Sequence, residues 1–329
     1  MNPYSYVRPE DVDGAVATLA QAPNAAYLAG GTNLVDLMKL EVMTPDVLVD
    51  VRRLTSERVE DLEDGGVRVG AAVPNSVLAA DRKIRTRYPA LSQALLAGAS
   101  GQLRNLATTG GNLLQHTRCV YWQDVTTPCN KREPGSGCSA IEGRNKHHAI
   151  FGASEHCIAT HPSDMAVAMA ALDAFVNVHG PDGVRRIPIE ELHRLPGDEP
   201  DRDTTLEHGE LITSVDLPPT RFFAKSKYRK VRERASYAFA LVSVAAALDV
   251  EDGVVRDVRI ALGGVAHKPW RATEAEEALR GEPATGANFR SAAEIELEEA
   301  EPLSGNAFKV PLARNVIART LIELSEEGR

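Results

Sequence analysis

All four cysteines of this chain lie within a stretch of thirty-nine residues, between positions 119 and 157. The surrounding segment, roughly residues 117–160, shows no sustained helical or strand periodicity and is rich in Gly, Pro, Asn and charge. Loops of this length inside compact domains are uncommon, and they are usually functional or disordered. Structural cysteines are normally scattered as small buried hydrophobes. The clustering therefore predicts a shared ligand that orders the insertion.

The spacing of the cysteines leaves the nature of that ligand open. Nine, eight and eighteen residues separate Cys119, Cys129, Cys138 and Cys157. The short C-x2–4-C knuckle of zinc ribbons is missing, and so is the C-x2-C-x2-C run of ferredoxins. A [4Fe–4S] cube suits such open spacing, but spacing alone does not separate it from zinc. Two disulfides or an incidental grouping are weaker alternatives, because disulfide scaffolds belong to small secreted domains.

Four histidines share the segment with the cysteines. Four thiolates already complete a tetrahedral ligand set, so we interpret the histidines as loop residues or as neighbours of the ligands. They are His147, His148, His156 and His161.

Length and charge limit the classes of protein that the chain can represent. Its 329 residues exceed what one hydrophobic core usually supports, so two or three units are expected. A formal net charge of -9 argues against a nucleic-acid or anionic-membrane surface. No apolar run approaches about 18 residues, and the acidic N-terminus does not read as a signal peptide. We expect cytosolic synthesis, with any export depending on a partner's signal.

Periodicity predicts a mixture of helices and antiparallel hairpins. A helix is expected from Pro9, with Val12, Ala15, Val16 and Leu19 on one face. A hairpin is expected around Asp64-Gly65-Gly66, and two long apolar strands should be joined at Glu251-Asp252-Gly253. The segment 217–226 carries a candidate domain boundary, and three helical segments close the chain.

Two glycine pairs follow short apolar segments and precede helical patterns. The first lies in "YLAGGTNL" (27–34) and the second in "LRNLATTGGNLLQ" (103–115). Consecutive backbone N–H groups at such turns form an anion nest, and glycine lets a pyrophosphate approach the backbone. Each turn alone could be a tight connection, but the pair favours two loops closing on one diphosphate. The GxGxxG fingerprint of a Rossmann dinucleotide site is missing.

The order of "AGGTNL", "TTGGNL", "SDM" and "KYRKVRER" resembles the FAD-binding medium subunits of the xanthine dehydrogenase and aldehyde oxidoreductase family. These proteins belong to the molybdenum hydroxylases, and the resemblance covers essentially the whole chain. The segment 117–165 further resembles a subgroup, the bacterial periplasmic aldehyde oxidoreductases, whose flavin subunit carries an extra [4Fe–4S] cluster. That resemblance favours iron–sulfur over zinc.

The resemblance implies an α+β fold. It implies a two-lobed FAD-binding domain (PCMH or vanillyl-alcohol-oxidase-like) at 1–218, with lobes at about 1–55 and 56–218. The iron–sulfur insertion would occupy about 117–160. A flavoprotein C-terminal domain would follow at 219–329, and FAD would lie between the two domains.

The resemblance also implies the residues of the cofactor sites. Asp164 would hydrogen-bond the cofactor and Lys230 would lie near the flavin, although a helix-end residue and a solvated strand residue are the alternatives. The aromatic residue beside the isoalloxazine is not identified by any motif. The cluster ligands would be the four cysteines. The two turns would hold the FAD diphosphate through Leu28, Ala29, Gly30, Gly31, Thr32, Asn33 and Leu34, and through Thr108, Thr109, Gly110, Gly111 and Asn112.

The function implied is electron relay in an oxidoreductase. A large partner subunit with a molybdenum cofactor would oxidise an aldehyde or heterocycle, and a small subunit would carry two [2Fe–2S] clusters. This chain would pass their electrons through FAD to an external acceptor, and its own cluster would be mainly structural. A self-contained flavin oxidase and a zinc-stapled assembly protein are the alternatives. The assembly would be periplasmic if a partner's signal exports it, and cytoplasmic otherwise.

Overall fold

The computed structural model describes residues 1–219 and 221–326. Twelve strands are present among them, and they form three sheets. The strands are β1 (Ser5–Val7), β2 (Ala25–Leu28), β3 (Val47–Asp50), β4 (Val59–Asp61), β5 (Val67–Gly70), β6 (Phe175–Gly180), β7 (Gly183–Pro188), β8 (Leu211–Leu217), β9 (Ser226–Val231), β10 (Val242–Glu251), β11 (Val254–Gly263) and β12 (Trp270–Arg271).

Thirteen α-helices in the same residues connect and cover the sheets, together with a short 3-10 turn at Arg221–Ala224. The helices are α1 (Val12–Gln21), α2 (Leu34–Lys39), α3 (Asn75–Ala80), α4 (Arg82–Arg87), α5 (Pro89–Ala97), α6 (Gly101–Leu106), α7 (Thr109–Leu113), α8 (Val120–Gln123), α9 (Asp164–Ala171), α10 (Ile189–Leu192), α11 (Thr273–Leu279), α12 (Gly286–Glu296) and α13 (Lys309–Glu326).

Each sheet takes its strands from one part of the chain. The first is parallel, with strand order β1-β3-β2. The second is antiparallel with order β4-β5-β8-β6-β7, and the third is antiparallel with order β12-β11-β10-β9. This mixture of helices and largely antiparallel sheets confirms the predicted α+β fold.

The predicted hairpins are confirmed, and the predicted start of the first helix is wrong. Strands β4 and β5 pair around Gly65, and β10 and β11 pair around the turn at Asp252-Gly253. Helix α1 begins at Val12 rather than at Pro9. The reason is Asp11, whose carboxylate accepts a hydrogen bond from the Gly14 N–H at 2.7 Å and so caps the helix.

Helix α9 lies at the centre of the molecule. All eight of its residues, "DMAVAMAA", are buried, as expected for a helix that is apolar on every side. Its N-cap is Ser163, whose hydroxyl accepts from the Ala166 N–H at 2.9 Å. Helix α9 packs between the helices that cover the second sheet and the strands β10 and β11 of the third. The first residue of this helix, Asp164, is therefore placed at the junction of the two halves.

The cysteine-containing insertion runs between α7 and α9, and α8 is the one helix described in it. Apolar side chains of the insertion enter the core of the third sheet, including Ile150 and Phe151. The Ile150 N–H also donates to the Val265 carbonyl at 2.8 Å. The insertion is thus packed against the C-terminal half rather than extended into solvent. Among residues 1–219 and 221–326, no helix is long and apolar enough to cross a membrane.

Candidate functional site

The first glycine turn joins β2 to α2 and passes close to the end of α6. A Cβ on Gly30 would lie 2.0 Å from the Leu106 carbonyl oxygen, so no larger residue fits without moving backbone. The next residue, Gly31, has a φ of +71°, which other residues rarely adopt. The sequence indicated a tight turn here. In the structure, the close Leu106 carbonyl explains Gly30 and the positive φ explains Gly31.

The second glycine turn leads into α7. The Thr108 hydroxyl accepts from the Gly111 N–H at 3.2 Å and caps this helix. The Thr109 hydroxyl donates to the Val73 carbonyl at 3.1 Å and is fully buried, so it supports the turn instead of facing a ligand. The Gly110 N–H donates to the Ala71 carbonyl at 2.9 Å. The second turn is therefore anchored to the end of β5.

The two turns meet at a pair of neighbouring cavities. The larger has a volume of about 620 Å³ and the smaller about 240 Å³. Both are lined by Thr32, Asn33 and Gly111, so the cavities adjoin where the turns meet. An elongated cleft of this size is within the range that small-molecule and cofactor sites occupy. Two separate turns predicted to close on one diphosphate thus lie on one cleft.

Most residues predicted to contact FAD line this cleft. The exceptions are Leu28 and Thr109, which line neither cavity. The smaller cavity is lined by Ala29, Gly30, Gly31, Leu34, Thr108 and Gly110 in addition to the shared residues, and the larger by Asn112, Asp164 and Lys230.

Two asparagine side chains at the cleft each have one buried polar atom without a hydrogen-bond partner in the described part of the chain. The Asn33 side chain accepts from the His116 N–H at 2.9 Å through Oδ1, while its Nδ2 has no partner among the described residues. The Oδ1 of Asn75 is likewise buried and unpaired within that part of the chain. Buried polar atoms normally have partners, so these two mark positions where a polar ligand would supply them. The chemistry of the cleft therefore fits FAD.

A buried ion pair crosses the larger cavity. Lys230 on β9 donates to Asp164 Oδ2 at 2.7 Å, and Tyr228 donates to the other carboxylate oxygen. The Lys230 and Asp164 side chains are 4% and 9% exposed. Burial holds the pKa of Tyr228 well above its usual value, so its hydroxyl stays protonated and donates. Asp164 is thus held by two donors from the C-terminal half, and neither it nor Lys230 is a solvated residue.

Aromatic residues that no motif identified also line the larger cavity. Tyr237 and Phe239 lie between β9 and β10, and both side chains are about half exposed. Tyr237 has a φ of +51°, and such uncommon conformations cluster at ligand sites. The Arg118 guanidinium lies 5.1 Å from the centre of the Phe239 ring. Neither ring lies in a recognisable motif, so sequence reasoning missed both.

The four cysteines converge on a separate small pocket. All four are free and all line it, so they form no disulfide with one another. Cys129 and Cys138 face each other across an isolated antiparallel bridge. No three of the described His, Cys, Asp and Glu residues are arranged to hold a single metal ion.

The cysteine pocket offers four thiols as ligands to one group. A single tetrahedral zinc ion would need the sulfurs gathered about 2.3 Å from one point, whereas a [4Fe–4S] cube takes one thiolate at each of its irons. Burial raises the pKa of Cys119 to about 11 and that of Cys157 to about 12. Buried thiols of this kind ionise when a cationic core binds them. The donor set is therefore suited to a thiolate-bound cluster.

A partly buried hydrogen-bond network links the cysteine segment to the second glycine turn. The Asp203 carboxylate accepts from His116 at 2.7 Å and from Lys131 at 2.5 Å. Lys131 lies between two of the cysteines, and His116 follows the second turn and lines the smaller cavity. These contacts hold the pKa of Asp203 far below its usual range although burial opposes them. Sequence reasoning missed Asp203, because no local pattern marks a partner 72 residues away from Lys131.

Family comparisons agree with this geometry. Residues 2–220 match the family described as the FAD binding domain in molybdopterin dehydrogenase. Residues 226–324 match the CO dehydrogenase flavoprotein C-terminal domain.

Similar proteins come from several organisms. The chain is 50% identical over 98% of both lengths to the aldehyde oxidoreductase FAD-binding subunit PaoB of Escherichia coli. It is 27% identical to the glyceraldehyde dehydrogenase medium chain of Sulfolobus acidocaldarius, over 84% of this chain and 81% of that protein.

The solved structures include quinoline 2-oxidoreductase from Pseudomonas putida 86, with a TM-score of 0.76, 25% identity and coverage of 99% and 98% of the two chains. Carbon monoxide dehydrogenase from Hydrogenophaga pseudoflava matches with a TM-score of 0.75 and 26% identity over 98% and 96%. The resemblance inferred from the sequence motifs is thus confirmed. The chain belongs to the FAD-binding medium subunits of the xanthine dehydrogenase family of molybdopterin dehydrogenases.

Proposed function

We propose that this chain is the FAD- and [4Fe–4S]-binding electron-transfer subunit of a molybdenum-dependent aldehyde oxidoreductase. The observation that carries the proposal is the single cleft lined by both glycine turns, Asp164 and Lys230. The 50% identity to an aldehyde oxidoreductase FAD-binding subunit supports the substrate class. Substrate oxidation would take place on a partner chain.

In this proposal the chain's own residues bind and orient FAD. The backbone of the two turns, which line the cleft through Gly30 and Gly111, would hold the diphosphate. FAD, when bound, supplies a centre that accepts and releases electrons. The Lys230 ammonium places a positive charge beside the cleft, while Asp164 fixes that ammonium in position. Tyr237 and Phe239 provide aromatic faces at the same end of the cleft.

We further propose that Cys119, Cys129, Cys138 and Cys157 hold the [4Fe–4S] cluster. Their convergence on one pocket and their open spacing support this assignment. The insertion contains little regular structure, so thiolate–iron bonds would contribute to its folding. A mainly structural role for the cluster follows from that dependence.

The proposed assembly includes a large molybdenum-cofactor subunit and a small subunit with two [2Fe–2S] clusters. The acceptor would be external, and oxygen, a quinone, a carrier protein and NAD remain candidates. Localisation in the periplasm would follow from a partner's export signal, and the assembly would otherwise be cytoplasmic. We propose domain limits of 1–218, with lobes at about 1–55 and 56–218, and 219–329. The end of β8 at Leu217 and the start of β9 at Ser226 support them.

A cleft-blocking variant tests the proposed function in the assembled complex. Gly98 lines the larger cavity, and a Cβ there would lie 3.1 Å from Asp164 Oδ2, so Gly98→Leu would fill the cleft. Gly101→Leu is the control, because nothing lies within 4 Å of a Cβ at that position. With aldehyde as electron donor, the wild type and Gly101→Leu should reduce an added acceptor. Gly98→Leu should lack FAD and should fail to reduce the acceptor. Full acceptor reduction without FAD would overturn the proposal.

A further inference from the structure

One cysteine of the four differs from the others in its surroundings. The Cys119 Sγ lies 3.2 Å from Nε2 of His148, a side chain that is 4% exposed. Cys119 also lines a cavity of about 600 Å³ in which none of the other three cysteines takes part. That cavity shares Arg118, Pro162, Ala238 and Phe239 with the flavin cleft. The Cys119 side of the cysteine pocket therefore faces the flavin cleft.

Hydrogen bonds on both sides of His148 hold its backbone in place. Its backbone N–H donates to the Asn145 carbonyl at 3.0 Å. Its own carbonyl accepts from Lys309 Nζ at 2.7 Å and from Asn306 Nδ2 at 3.2 Å. Both donors are fully buried, and Lys309 opens α13. These contacts fix the backbone, and burial of the residue confines the ring beside the sulfur.

The hydrogen-bond pattern indicates which ring nitrogen carries the proton. The Nδ1 of His148 is buried and has no partner in the described part of the chain. A proton on that atom would be an unsatisfied donor, and it would turn the Nε2 lone pair toward a thiolate. A proton on Nε2 instead points at the Cys119 sulfur. Nε2 is therefore the donor toward the sulfur.

We propose that His148 donates its Nε2–H to the Cys119 sulfur and thereby raises the reduction potential of the cluster. This inference rests on the proposed [4Fe–4S] cluster. One-electron reduction of a cluster adds negative charge that is shared with its cysteine sulfurs. A fixed N–H donor therefore stabilises the reduced cluster more than the oxidised cluster. Hydrogen bonds to sulfur are one of the factors that set cluster potentials. His148 is thus a positioning and tuning residue for one corner.

The test is an anaerobic redox titration of the full chain, reduced with dithionite and followed by electron paramagnetic resonance. His148→Phe keeps a ring but removes the N–H donor. His148→Gln keeps an N–H donor, in an amide that extends less far from the backbone than the imidazole. His147→Phe is the matched control, because His147 is exposed, lines the same cavity and has its Nε2 3.7 Å from Glu233 Oε2. Iron and sulfide are measured on every sample before the titration.

His148→Phe should make cluster reduction about tenfold less favourable, which is a potential lower by about 59 mV for one electron. His148→Gln should recover part of the shift, and His147→Phe should match the wild type. If the Phe ring prevents loading, His148→Ala removes the same donor without crowding the pocket and should show the same shift.

The possible failures are distinguishable. A fully loaded cluster whose potential is unchanged in His148→Phe and His148→Ala overturns the tuning role and leaves the proposed function standing. A wild-type chain that holds FAD but no iron or sulfide overturns the proposed cluster, and this inference with it.

Discussion

Lys230 on β9 and Asp164 at the start of α9 form a hydrogen-bonded ion pair of 2.7 Å across the junction of the two halves of the chain. Both side chains are buried, and Tyr228 donates to the same carboxylate. One contact therefore ties the C-terminal sheet to the central helix and places a positive charge at the flavin cleft.

Replacing Lys230 with Met should destabilise the protein by about 3 kcal/mol, because it leaves a buried carboxylate without its cation. Urea-induced unfolding of the FAD-free chain measures this free energy. Lys225→Met is the control, since Lys225 is exposed just before the same strand. Adding Asp164→Asn to Lys230→Met should recover part of the loss. Equal stability of Lys230→Met and the control would show that the pair does not join the two halves.

Gly30→Ala should abolish FAD retention. The added methyl would lie 2.0 Å from the Leu106 carbonyl oxygen, so the first turn must move away from α6 and the second turn. Gly101→Ala is a matched control, because a Cβ there meets nothing within 4 Å. Flavin content per chain after gel filtration separates the two variants. Full FAD content in Gly30→Ala would mean that the close approach of the turns is not needed for binding.

Buried histidines should make the protein acid-sensitive. Burial lowers the pKa of His193 and of His267 to about 4, below the ordinary value of 6.5. Between about pH 6.5 and 4 the unfolded chain therefore binds more protons than the folded chain. Stability should fall as the pH drops through that window, by up to about 1.4 kcal/mol per pH unit for each such histidine.

His193→Gln tests this pH dependence. The amide can still donate to the Leu113 carbonyl, which His193 Nε2 contacts at 2.8 Å, but it does not titrate. Urea unfolding between about pH 8 and 4.5 should show a shallower loss of stability in the variant than in the wild type. If the free energy of unfolding fell equally with pH in both proteins, His193 would gain its proton in the folded state as easily as in the unfolded chain.

Tyr237 is predicted to lie against the bound flavin. It lines the cleft with Phe239 and is 57% exposed in the chain without ligand. An aromatic contact is worth about 0.5–1.5 kcal/mol, so Tyr237→Leu should weaken FAD binding by up to about tenfold and increase the fluorescence of the bound flavin. Tyr4→Leu, at an exposed residue outside the cleft, serves as the control. Unchanged fluorescence in Tyr237→Leu would assign the contact elsewhere.

The sequence predicted the parts of the molecule that depend on local pattern. Two long apolar runs predicted β10 and β11, and the turn residues Asp252 and Gly253 predicted their connection. The two glycine turns could be predicted to share a ligand because each carries the same chemistry. The start of α1 was missed, because the capping carboxylate of Asp11 outweighed the signal from Pro9.

The parts that could not be predicted depend on contacts between distant positions. Nothing near His148 in the sequence shows that Lys309 and Asn306 hold it, since 158 or more residues separate them. The Asp203 link to His116 and Lys131 is of the same kind. Such contacts follow from how the two halves pack, which periodicity does not encode.

The most direct test of whether the chain binds both FAD and an iron–sulfur cluster is the absorption spectrum of the anaerobically purified chain. FAD, iron, zinc and sulfide are measured on the same sample. We expect flavin bands over a broad iron–sulfur shoulder, with about one FAD, four irons and four sulfides per chain. Flavin with zinc and no sulfide would contradict the cluster assignment. A colourless chain that cannot be reconstituted with FAD would contradict both the FAD and the cluster assignments.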